Sequence, residues 1–595
     1  MDMVLPLRAS LIALLLLSSC GGATTAPAAP SAEALPWSDW SREAFERARR
    51  ERRPILLSVQ AGWCHWCHVM NDVTYRDPEV VRRLSSEFVL IRADGDARPD
   101  LAERYRRYAW PATVFLSPDG EQILALRGYR PPERFRGILD DVLAAHADGR
   151  VLEEAVGASE PPAEDLAAIR AMLTEQLDAM YDEEGGGWGR RQRYPFAAPV
   201  EHALYRAAVH GEPAWGERAA FTLERYAILI DPVWGGMYQY SVPNVWDRPH
   251  FEKIVPVQAG ALRAFAAAYR RTGDARWLTH ADAIHGYLRE HLRADDGAFH
   301  ASQNADAEAM TGAEFYALDD AGRRAVEPPA VDEHVYASHN GLLIEALVAL
   351  HVATGRQAPL REAVTAARRI LRTHRHASGA FVHDADADDP VRYLADQAPL
   401  LAAFVALYQA TGDAAWRDEA VALAEALEAG FVGDRGGFVA HTADPEAEGF
   451  FAEVPEPVID NAIAAQALLE LAHLTQREAF AERAITALRA VSRPTELRRM
   501  GRMVGELLLA LEAVEHGHLV LSVVGPADRP ETAALHRAAL AVAEPTRLVE
   551  LGRPGQSRYP YPGDPAVFLC TSQACSMPVY DPDELAGQVA SFLDR

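Results

Sequence analysis

Cysteine is scarce in this chain of 595 residues, which has five: Cys20, Cys64, Cys67, Cys570 and Cys575. So few cysteines exclude a dense disulfide framework, and the fold must therefore depend on an apolar core. Basic residues are also in deficit, since 59 Lys and Arg face 85 Asp and Glu, for a formal net charge of -26. A surface of that charge repels phosphate, so nucleic acid is not an expected partner.

Apolar runs long enough to span a bilayer repeatedly are missing as well. The composition is 49% hydrophobic and 24% charged, which is typical of soluble proteins and excludes a multi-span membrane protein or a wholly disordered chain. At about 150 residues per domain, the length predicts about three to four folding units.

The first 20 residues have the pattern of an export signal. Arg8 precedes an apolar run over residues 9–17, which is too short to cross a bilayer. Leu17-Ser18-Ser19-Cys20 resembles a bacterial lipobox, in which the cysteine is lipidated; the alternative is an ordinary cleaved secretory signal. Residues 21–35 are rich in Gly, Ala, Pro and Thr and predict a flexible tether. We therefore expect a protein anchored by lipid to the cell envelope on the periplasmic side, with no other membrane contact.

Residues 36–150 predict an α/β redox module. Apolar segments predict strands near residues 54–59, 87–91, 112–116 and 121–126. Cys64-His65-Trp66-Cys67 follows the first strand and begins a helix. A helix N-terminus stabilises a thiolate, so Cys64 is the predicted nucleophile and Cys67, one turn later, the resolving cysteine.

Two other chemistries use a motif of this kind. Cys64-x-x-Cys67-His68 matches the c-type haem attachment pattern, but strands flank the motif and a haem domain would be mostly helical. Zinc would need further ligands at metal spacing, which His65 and His68 do not easily supply. We therefore expect neither a metal nor a cofactor. Trp110-Pro111 precedes the third strand, a position where thioredoxin-like folds carry a cis proline beside the dithiol and use the preceding residue to hold substrate.

Residues 160–515 contain a repeated helical pattern. Thr272-Gly273-Asp274 and Thr411-Gly412-Asp413 each separate two helical segments, because Gly ends one helix and Asp caps the next. Turns of glycine followed by an aromatic residue occur between these hairpins, and the periodicity predicts about twelve helices. Six hairpins that close on themselves form an (α/α)6 toroid, and the alternative is an open solenoid.

The long loops of this region carry the candidate pocket residues. Carboxylates, histidines and aromatic side chains around a pocket suit carbohydrate binding, and paired carboxylates or a histidine pair could act in sugar hydrolysis or epimerisation. The alternative for each residue is a structural role in capping helices and joining loops. The candidates for ligand binding are His250, Glu252, Asp306, Asn340 and Asp396, together with Trp110 and Pro111.

Residues 516–595 predict a small α/β layer with three strands and a helix. Cys570 and Cys575 end its last strand. They form either a local structural disulfide or a second redox pair that exchanges with Cys64.

The motifs together resemble the spermatogenesis-associated thioredoxin-domain family. The similarity rests on Trp63–Met70, Asp94, Arg98-Pro99-Asp100, Trp110-Pro111, Pro249–Lys253, Asn340-Gly341 and the pair Cys570 and Cys575 with Pro578. It implies an N-terminal thioredoxin-like domain and a six-hairpin domain similar to N-acylglucosamine epimerases and six-hairpin glycosidases.

Three functions are consistent with the sequence. The leading hypothesis is an exported thiol–disulfide oxidoreductase that acts on a protein or a small thiol or disulfide, fused to a toroid with a sugar-like ligand pocket. The others are a sugar-active enzyme with an accessory thioredoxin-like domain, and a non-catalytic envelope binding protein. Fold similarity does not decide among them.

Overall fold

The computed structural model describes residues 35–152, 160–555 and 557–593. The predicted export signal with Cys20, and the tether up to residue 34, lie outside these residues. Among the helices of the described part, none is both long and apolar enough to cross a membrane.

The first layer, which we call the thioredoxin-like layer, is a four-stranded sheet covered by helices on both faces. β1 pairs in parallel with β2 and antiparallel with β3, which pairs antiparallel with β4, so the strand order is β2-β1-β3-β4. Alternate residues of β1 point to opposite faces, and Leu57 packs with one apolar cluster while Leu56 packs with the other. The elements are α1 (Arg42–Glu51), β1 (Ile55–Gln60), α2 (His65–Val69), α3 (Pro78–Glu87), β2 (Val89–Asp94), α4 (Pro99–Tyr105), β3 (Ala112–Leu116), β4 (Gln122–Arg127) and α5 (Pro132–Ala147).

The central part is a closed double ring of helices. Its helices are α6 (Leu166–Met180), α7 (Ala197–Val209), α8 (Pro213–Tyr226), α9 (Val255–Thr272), α10 (Ala275–Tyr287), α11 (Gly312–Tyr316), α12 (Asp320–Arg324), α13 (Ala337–Thr354), α14 (Gln357–Thr373), α15 (Leu394–Thr411), α16 (Ala414–Gly430), α17 (Val458–Thr475), α18 (Glu478–Val491), α19 (Pro494–Met500) and α20 (Gly505–His516).

Within the described residues, six helices form the inner ring and six the outer one. The inner helices α7, α9, α13, α15, α17 and α20 contact one another in that order, and α20 returns to α7. The outer helices are α6, α8, α10, α14, α16 and α18. The return contact closes the ring, so the predicted (α/α)6 toroid is confirmed and the open solenoid is wrong.

The two ends of the ring differ because of the connections between helices. Each inner helix from α7 to α17 passes to the next outer helix through a short turn, as at Gly273 and Gly412, whose φ values of 67° and 66° suit glycine. Asp274 and Asp413 then accept a hydrogen bond from the backbone of the next helix, as expected for N-caps. The long loops therefore gather at the opposite end, around the N-termini of the inner helices, which we call the mouth.

Small strands stiffen the long loops at the mouth. They are β5 (Tyr240–Ser241), β6 (Pro249–His250), β7 (Lys253–Ile254), β8 (Ser302–Gln303) and β9 (Val331–Asp332). Buried Asp231 accepts from Lys253 at 2.8 Å and from Arg323 at 2.6 Å, which ties two of these loops together.

The last layer packs against the ring end that is opposite the mouth. Near the C-terminus of α15, the side-chain oxygen of Gln409 accepts from the backbone N–H of Val549. The backbone carbonyl of Gln409 accepts from the His536 side chain. The layer has a sheet of order β11-β10-β12 and two helices. Its elements are β10 (Leu519–Val524), α21 (Pro530–Ala541), β11 (Arg547–Gly552), β12 (Ala566–Cys570) and α22 (Leu585–Phe592).

Candidate functional site: a dithiol closed in by the mouth of the helical ring

Cys64 and Cys67 form a disulfide at the start of α2. Cys64 is the N-cap residue, and its Sγ accepts from the backbone N–H of Cys67 at 3.1 Å. This N-cap position places Cys64 Sγ at the positive end of the helix, where a thiolate is stabilised. Pro111 follows a cis peptide bond after Trp110, and Trp110 contacts the apolar clusters of both the thioredoxin-like layer and the ring.

The dithiol lies against the ring rather than on an open surface. Cys64 is 3% exposed and Cys67 is fully buried, and both belong to the apolar cluster that includes the core of the ring. A folded protein therefore cannot reach either sulfur in this arrangement.

Glu252 of the ring reaches the first turn of the dithiol helix. Its Oε1 accepts from the backbone N–H of His65 at 3.2 Å, one residue after Cys64. Glu252 is 2% exposed, and burial raises the pKa of its carboxyl to about 7. Its Oε2 is buried without a hydrogen-bond partner among the described residues. The neighbouring Lys253, fixed by Asp231, holds this loop in place.

Asp306 makes the second direct contact between the ring and the dithiol helix. Its Oδ2 lies 2.5 Å from Nδ1 of His65, and its Oδ1 accepts from the backbone N–H of Gly312. The hydrogen bond to Asp306 raises the pKa of His65. Burial works to raise the pKa of Asp306, but the hydrogen bonds from His65 and from the Gly312 N–H, together with the charge of His65, outweigh it and lower that pKa. Together these shifts favour an imidazolium beside Cys64.

Aromatic side chains line the edge of the dithiol site. Trp66 stacks on Tyr129 with ring centroids 5.7 Å apart and lies 6.4 Å from His250, which stacks on Tyr240 at 4.1 Å. Burial, and then the charge of His65, lower the pKa of His250 to about 4, so the His250 imidazole is neutral at physiological pH. Trp66 remains 38% exposed and marks the solvent-facing edge of the site.

A polar chain continues from the motif into the mouth. Trp63 Nε1 donates to Asp96 Oδ2 at 2.6 Å, and burial, with the charge of Asp94, raises the pKa of Asp96 to about 7. His383 Nε2 donates to the Asp96 carbonyl at 2.7 Å, and its Nδ1 lies 2.8 Å from Asp396 Oδ1. Both nitrogens of the His383 imidazole face acceptors, and although burial opposes it, the charge of Asp396 and the hydrogen bond to it raise the pKa of His383.

Arg106 of the thioredoxin-like layer enters the mouth. It forms an ion pair with Glu103 and faces Asp460, near the N-terminus of α17. The Arg106 side chain remains exposed and keeps 42% of its accessible surface. Burial, then the charge of Glu103, raise the pKa of Asp460 to about 7, and burial lowers that of His339 to about 3. The mouth therefore holds a carboxyl group that titrates near neutrality.

One loop of the ring fastens the two layers together. Arg98 pairs with Asp100 at 2.7 Å and with Asp444 at 3.1 Å. Arg104 donates to the carbonyls of Phe450 and Glu453. These contacts hold the dithiol face against the mouth.

The predicted ligand-binding residues divide into three groups: those on the dithiol side of the mouth, the more deeply buried Asp396, and Asn340. His250, Glu252 and Asp306, together with Trp110, lie on the dithiol side of the mouth, and Pro111 directly precedes β3. Asp396 is buried deeper and is occupied by His383 and by the backbone N–H of Ser338.

Asn340 has a structural role, which corrects its assignment to ligand binding. Its amide is buried, accepts from the backbone N–H of Phe299 and donates to the Phe299 carbonyl. The same contact recurs at four of the glycine–aromatic turns. In each, the fourth residue of an inner helix is Asn or Gln, and its side-chain amide bonds the backbone of the turn. The pairs are Gln258 with Met237, Asn340 with Phe299, Gln397 with Phe381 and Asn461 with Phe438.

The second cysteine pair lies far from the first. Cys570 and Cys575 form a disulfide in the C-terminal layer, at the other end of the ring. An inner helix of 18 residues, such as α15, spans about 27 Å, and this length separates the two pairs. Direct exchange within the chain would therefore require a large rearrangement.

A separate cavity of about 330 Å³ lies in the half of the ring nearer the C-terminal layer. Above it, Arg263 pairs with Glu201, Glu345 and Glu506 across the ring axis. These part-buried side chains line the cavity, and no residue of the dithiol site does, so the cavity is separate from that site.

Sequence reasoning missed the contacts that join the two layers. The sequence indicates His65 as the inner residue of the motif but not its partner in the ring, and it does not single out Asp96 or Arg106. The partners of His65 and Asp96 in the ring, Asp306 and His383, lie 241 and 287 positions away, and no local pattern indicates such pairs.

Comparison with known proteins agrees with the resemblance drawn from the motifs. Residues 29–149 match the family Thioredox_DsbH, described as a protein of unknown function, DUF255. Spermatogenesis-associated protein 20 of Homo sapiens is 24% identical over 706 aligned residues, which cover 89% of this chain and 87% of the human protein. The Mus musculus protein is also 24% identical, and the alignment covers 89% of this chain and 86% of the mouse protein.

Solved structures were also compared with the two main parts. Cellobiose 2-epimerase from Bacillus thermoamylovorans is 12% identical with a TM-score of 0.44 and covers 55% of this chain and 85% of its own. A glycoside hydrolase family 76 mannosidase from Bacteroides thetaiotaomicron is 15% identical with a TM-score of 0.44, covering 59% and 99%. A thioredoxin from Thermus thermophilus is 31% identical with a TM-score of 0.19, covering 20% and 95%.

Proposed function

We propose that this chain is a thiol–disulfide oxidoreductase whose dithiol acts on a low-molecular-weight thiol or disulfide compound. The observation that carries the proposal is the position of Cys64 at a helix N-terminus, closed in by Glu252 and Asp306 of the ring. Burial of both sulfurs supports a small substrate, which enters past the exposed edge of Trp66.

In the reducing direction, the Cys64 thiolate attacks one sulfur of the substrate disulfide. A mixed disulfide forms, and the other substrate sulfur leaves as a thiolate that takes up a proton. Cys67 then loses its proton and attacks Cys64, which releases the second substrate thiol and leaves the Cys64–Cys67 disulfide. Two electrons pass from the protein dithiol to the substrate, and the oxidising direction reverses each step.

Two ring residues assist this exchange in the proposal. The His65 imidazolium, maintained by Asp306, stabilises the Cys64 thiolate through its positive charge. Glu252, with a carboxyl pKa of about 7, can carry the proton that Cys67 must lose. Strand β1, which lies behind the dithiol, has the sequence Ile-Leu-Leu-Ser-Val-Gln and supplies no carboxylate, so the ring supplies this group.

The test uses the full chain with a small and a large disulfide substrate. Reduction of the small 5,5′-dithiobis(2-nitrobenzoate) is expected, while insulin is reduced much more slowly. Cys64→Ser should abolish turnover, and Cys67→Ser should trap a mixed disulfide visible by mass spectrometry. Equal rates on both substrates would contradict the small-substrate assignment, and failure of Cys64–Cys67 to titrate between oxidised and reduced forms would overturn the redox proposal.

A sugar-active enzyme is the second candidate, favoured by the Asp460 carboxyl that titrates near pH 7 in the closed mouth. Such a carboxyl suits general acid–base catalysis on a polyhydroxy compound. Turnover of an oligosaccharide that Asp460→Asn abolishes and Cys64→Ser leaves unchanged would favour this function over the first.

We also propose that the chain is exported and held at the envelope by a lipid on Cys20, as the sequence pattern of residues 1–20 indicates. Metabolic labelling with a palmitate analogue is expected to mark the wild-type protein. Retention of the label in Cys20→Ala would contradict the assignment.

A further inference from the structure

Three histidines surround one buried carboxylate at the seam where the inner ring closes. Glu512 lies on α20, and its side chain is 1% exposed. Helix α20 contacts α7, which carries His202 in its middle and is followed directly by His210. Glu512 Oε2 lies 3.1 Å from Nε2 of His210 and 3.4 Å from Nε2 of His516. This cluster is separate from the dithiol site.

The three ligand atoms have the spacing of a metal site. The two imidazole nitrogens and the carboxylate oxygen all lie within 4.8 Å of one another. Tetrahedral zinc with bonds of about 2.0–2.1 Å separates its ligand atoms by ~3.3 Å. Glu512 Oε2 lies 3.1 Å from His210 Nε2 and 3.4 Å from His516 Nε2, which is close to this spacing between ligand atoms. Glu512 and His516 are four residues apart on α20, so they project from the same face.

The other side of the carboxylate is fixed by separate partners. Oε1 lies 3.2 Å from His202 Nε2 and 3.3 Å from Arg170, which also reaches Oε2 at 3.5 Å. Glu515 lies 3.6 Å from Arg170 and offsets part of its charge. Contacts of this type orient a ligating carboxylate and leave its second oxygen for the metal.

The site is open to solvent. The side chains of His210 and His516 are 21% and 33% exposed, which leaves a path for an ion and room for a water ligand.

We propose that His210, Glu512 and His516 bind one divalent cation of the zinc class, with water as the fourth ligand, and that the ion ties α20 to α7. Two imidazoles and one carboxylate favour zinc-class metals over calcium or magnesium, which prefer all-oxygen sites.

The experiment titrates the chelator-treated full chain with Co²⁺ while both cysteine pairs remain disulfides, so that no thiolate can bind the metal. One equivalent of cobalt with the visible absorption of a four-coordinate ion is expected, and Zn²⁺ should displace it. Removal of a residue that only orients a metal ligand typically weakens metal affinity by about 10–100-fold. Because His210→Ala and His516→Ala each remove a direct ligand, we expect each to weaken cobalt affinity by more than ~100-fold. The imidazole of the exposed His376 forms hydrogen bonds with Ser378, and His376→Ala is the matched control.

Absence of the cobalt spectrum in the wild-type chain, or an unchanged spectrum in His516→Ala, would overturn the site. Thermal unfolding provides the second measurement. Zn²⁺ should raise the melting temperature of the wild type and of His376→Ala, but not of His516→Ala. Binding that leaves the wild-type melting temperature unchanged would overturn the role of the ion at the ring seam.

Discussion

His65 in the dithiol motif and Asp306 in the helical ring form an ion pair, with 2.5 Å between Nδ1 and Oδ2. The two residues are 241 positions apart in the chain. The pair places a charge of the ring within the redox motif, so the properties of the dithiol depend on a residue outside the thioredoxin-like layer.

Asp306→Asn is expected to slow alkylation of Cys64 in the reduced protein. The hydrogen bond and the charge of Asp306 raise the pKa of His65. Their loss therefore favours the neutral imidazole of His65 and leaves the Cys64 thiolate less stabilised. A rise of about one unit in the Cys64 pKa reduces the rate about tenfold at a pH below both values. The measurement is the rate of iodoacetamide labelling against pH. Asp332→Asn, which breaks the similar pair with His334, is the matched control, and an equal effect of both variants would contradict the prediction.

Glu252→Gln is expected to change the dependence of stability on pH. The folded-state pKa of about 7 lies above the model-compound value of 4.5, so the wild type loses stability as pH rises through this window. The full loss has an upper limit of about 3 kcal/mol, reached above pH 7, and the variant should lack it. Urea unfolding followed by circular dichroism between pH 4 and 8 measures the difference. Exposed Glu308 provides the control Glu308→Gln, and parallel stability curves for wild type and Glu252→Gln would refute the prediction.

Asn340→Ala is expected to destabilise the ring without changing the dithiol. The variant leaves the N–H and carbonyl of Phe299 buried without their amide partner, at a cost of about 2–4 kcal/mol. Asn461→Ala should behave alike, because Asn461 makes the same contacts with Phe438. Unfolding curves and the reduction potential of Cys64–Cys67 are the measurements. A shifted potential at unchanged stability would return Asn340 to the functional site.

Arg98→Ala is expected to open the dithiol to large reagents. Arg98 links the thioredoxin-like layer to Asp444 of the ring, so its loss favours separation of the layers. A change of about 1.4 kcal/mol in that equilibrium gives a tenfold faster reaction of the reduced protein with a polymer-linked maleimide. Arg82→Ala, which removes a surface pair with Glu79, should leave the rate unchanged. Equal rates for all three proteins would show that the layers already separate freely.

The double variant Cys570→Ser, Cys575→Ser is expected to keep the redox titration of Cys64–Cys67. About 27 Å of inner helix separates the two pairs, so the second one cannot exchange directly with the first. Peptide mass spectrometry after alkylation measures the titration in both proteins. A trapped disulfide between Cys64 and either distal cysteine in Cys67→Ala would contradict this separation.

The sequence by itself determined the local elements. Apolar periodicity indicated the sheet around 54–59 and 112–116, the Gly273-Asp274 and Gly412-Asp413 turns indicated helical hairpins, and the spacing of Cys64 and Cys67 indicated a dithiol at a helix start. Each of these depends on interactions within a few residues, such as capping and the periodicity of a helix or strand, and a sequence pattern records them directly.

Only the tertiary structure decided what surrounds those elements. Closure of the ring brings His210 to Glu512, 302 positions away, and docking of the thioredoxin-like layer brings His65 to Glu252, 187 positions away. The same packing engages the Asn340 amide with the turn at Phe299. Partners at such separations meet because long helices and loops pack in three dimensions, and the pKa shifts of Glu252 and Asp96 arise from that burial, which no short segment of the sequence encodes.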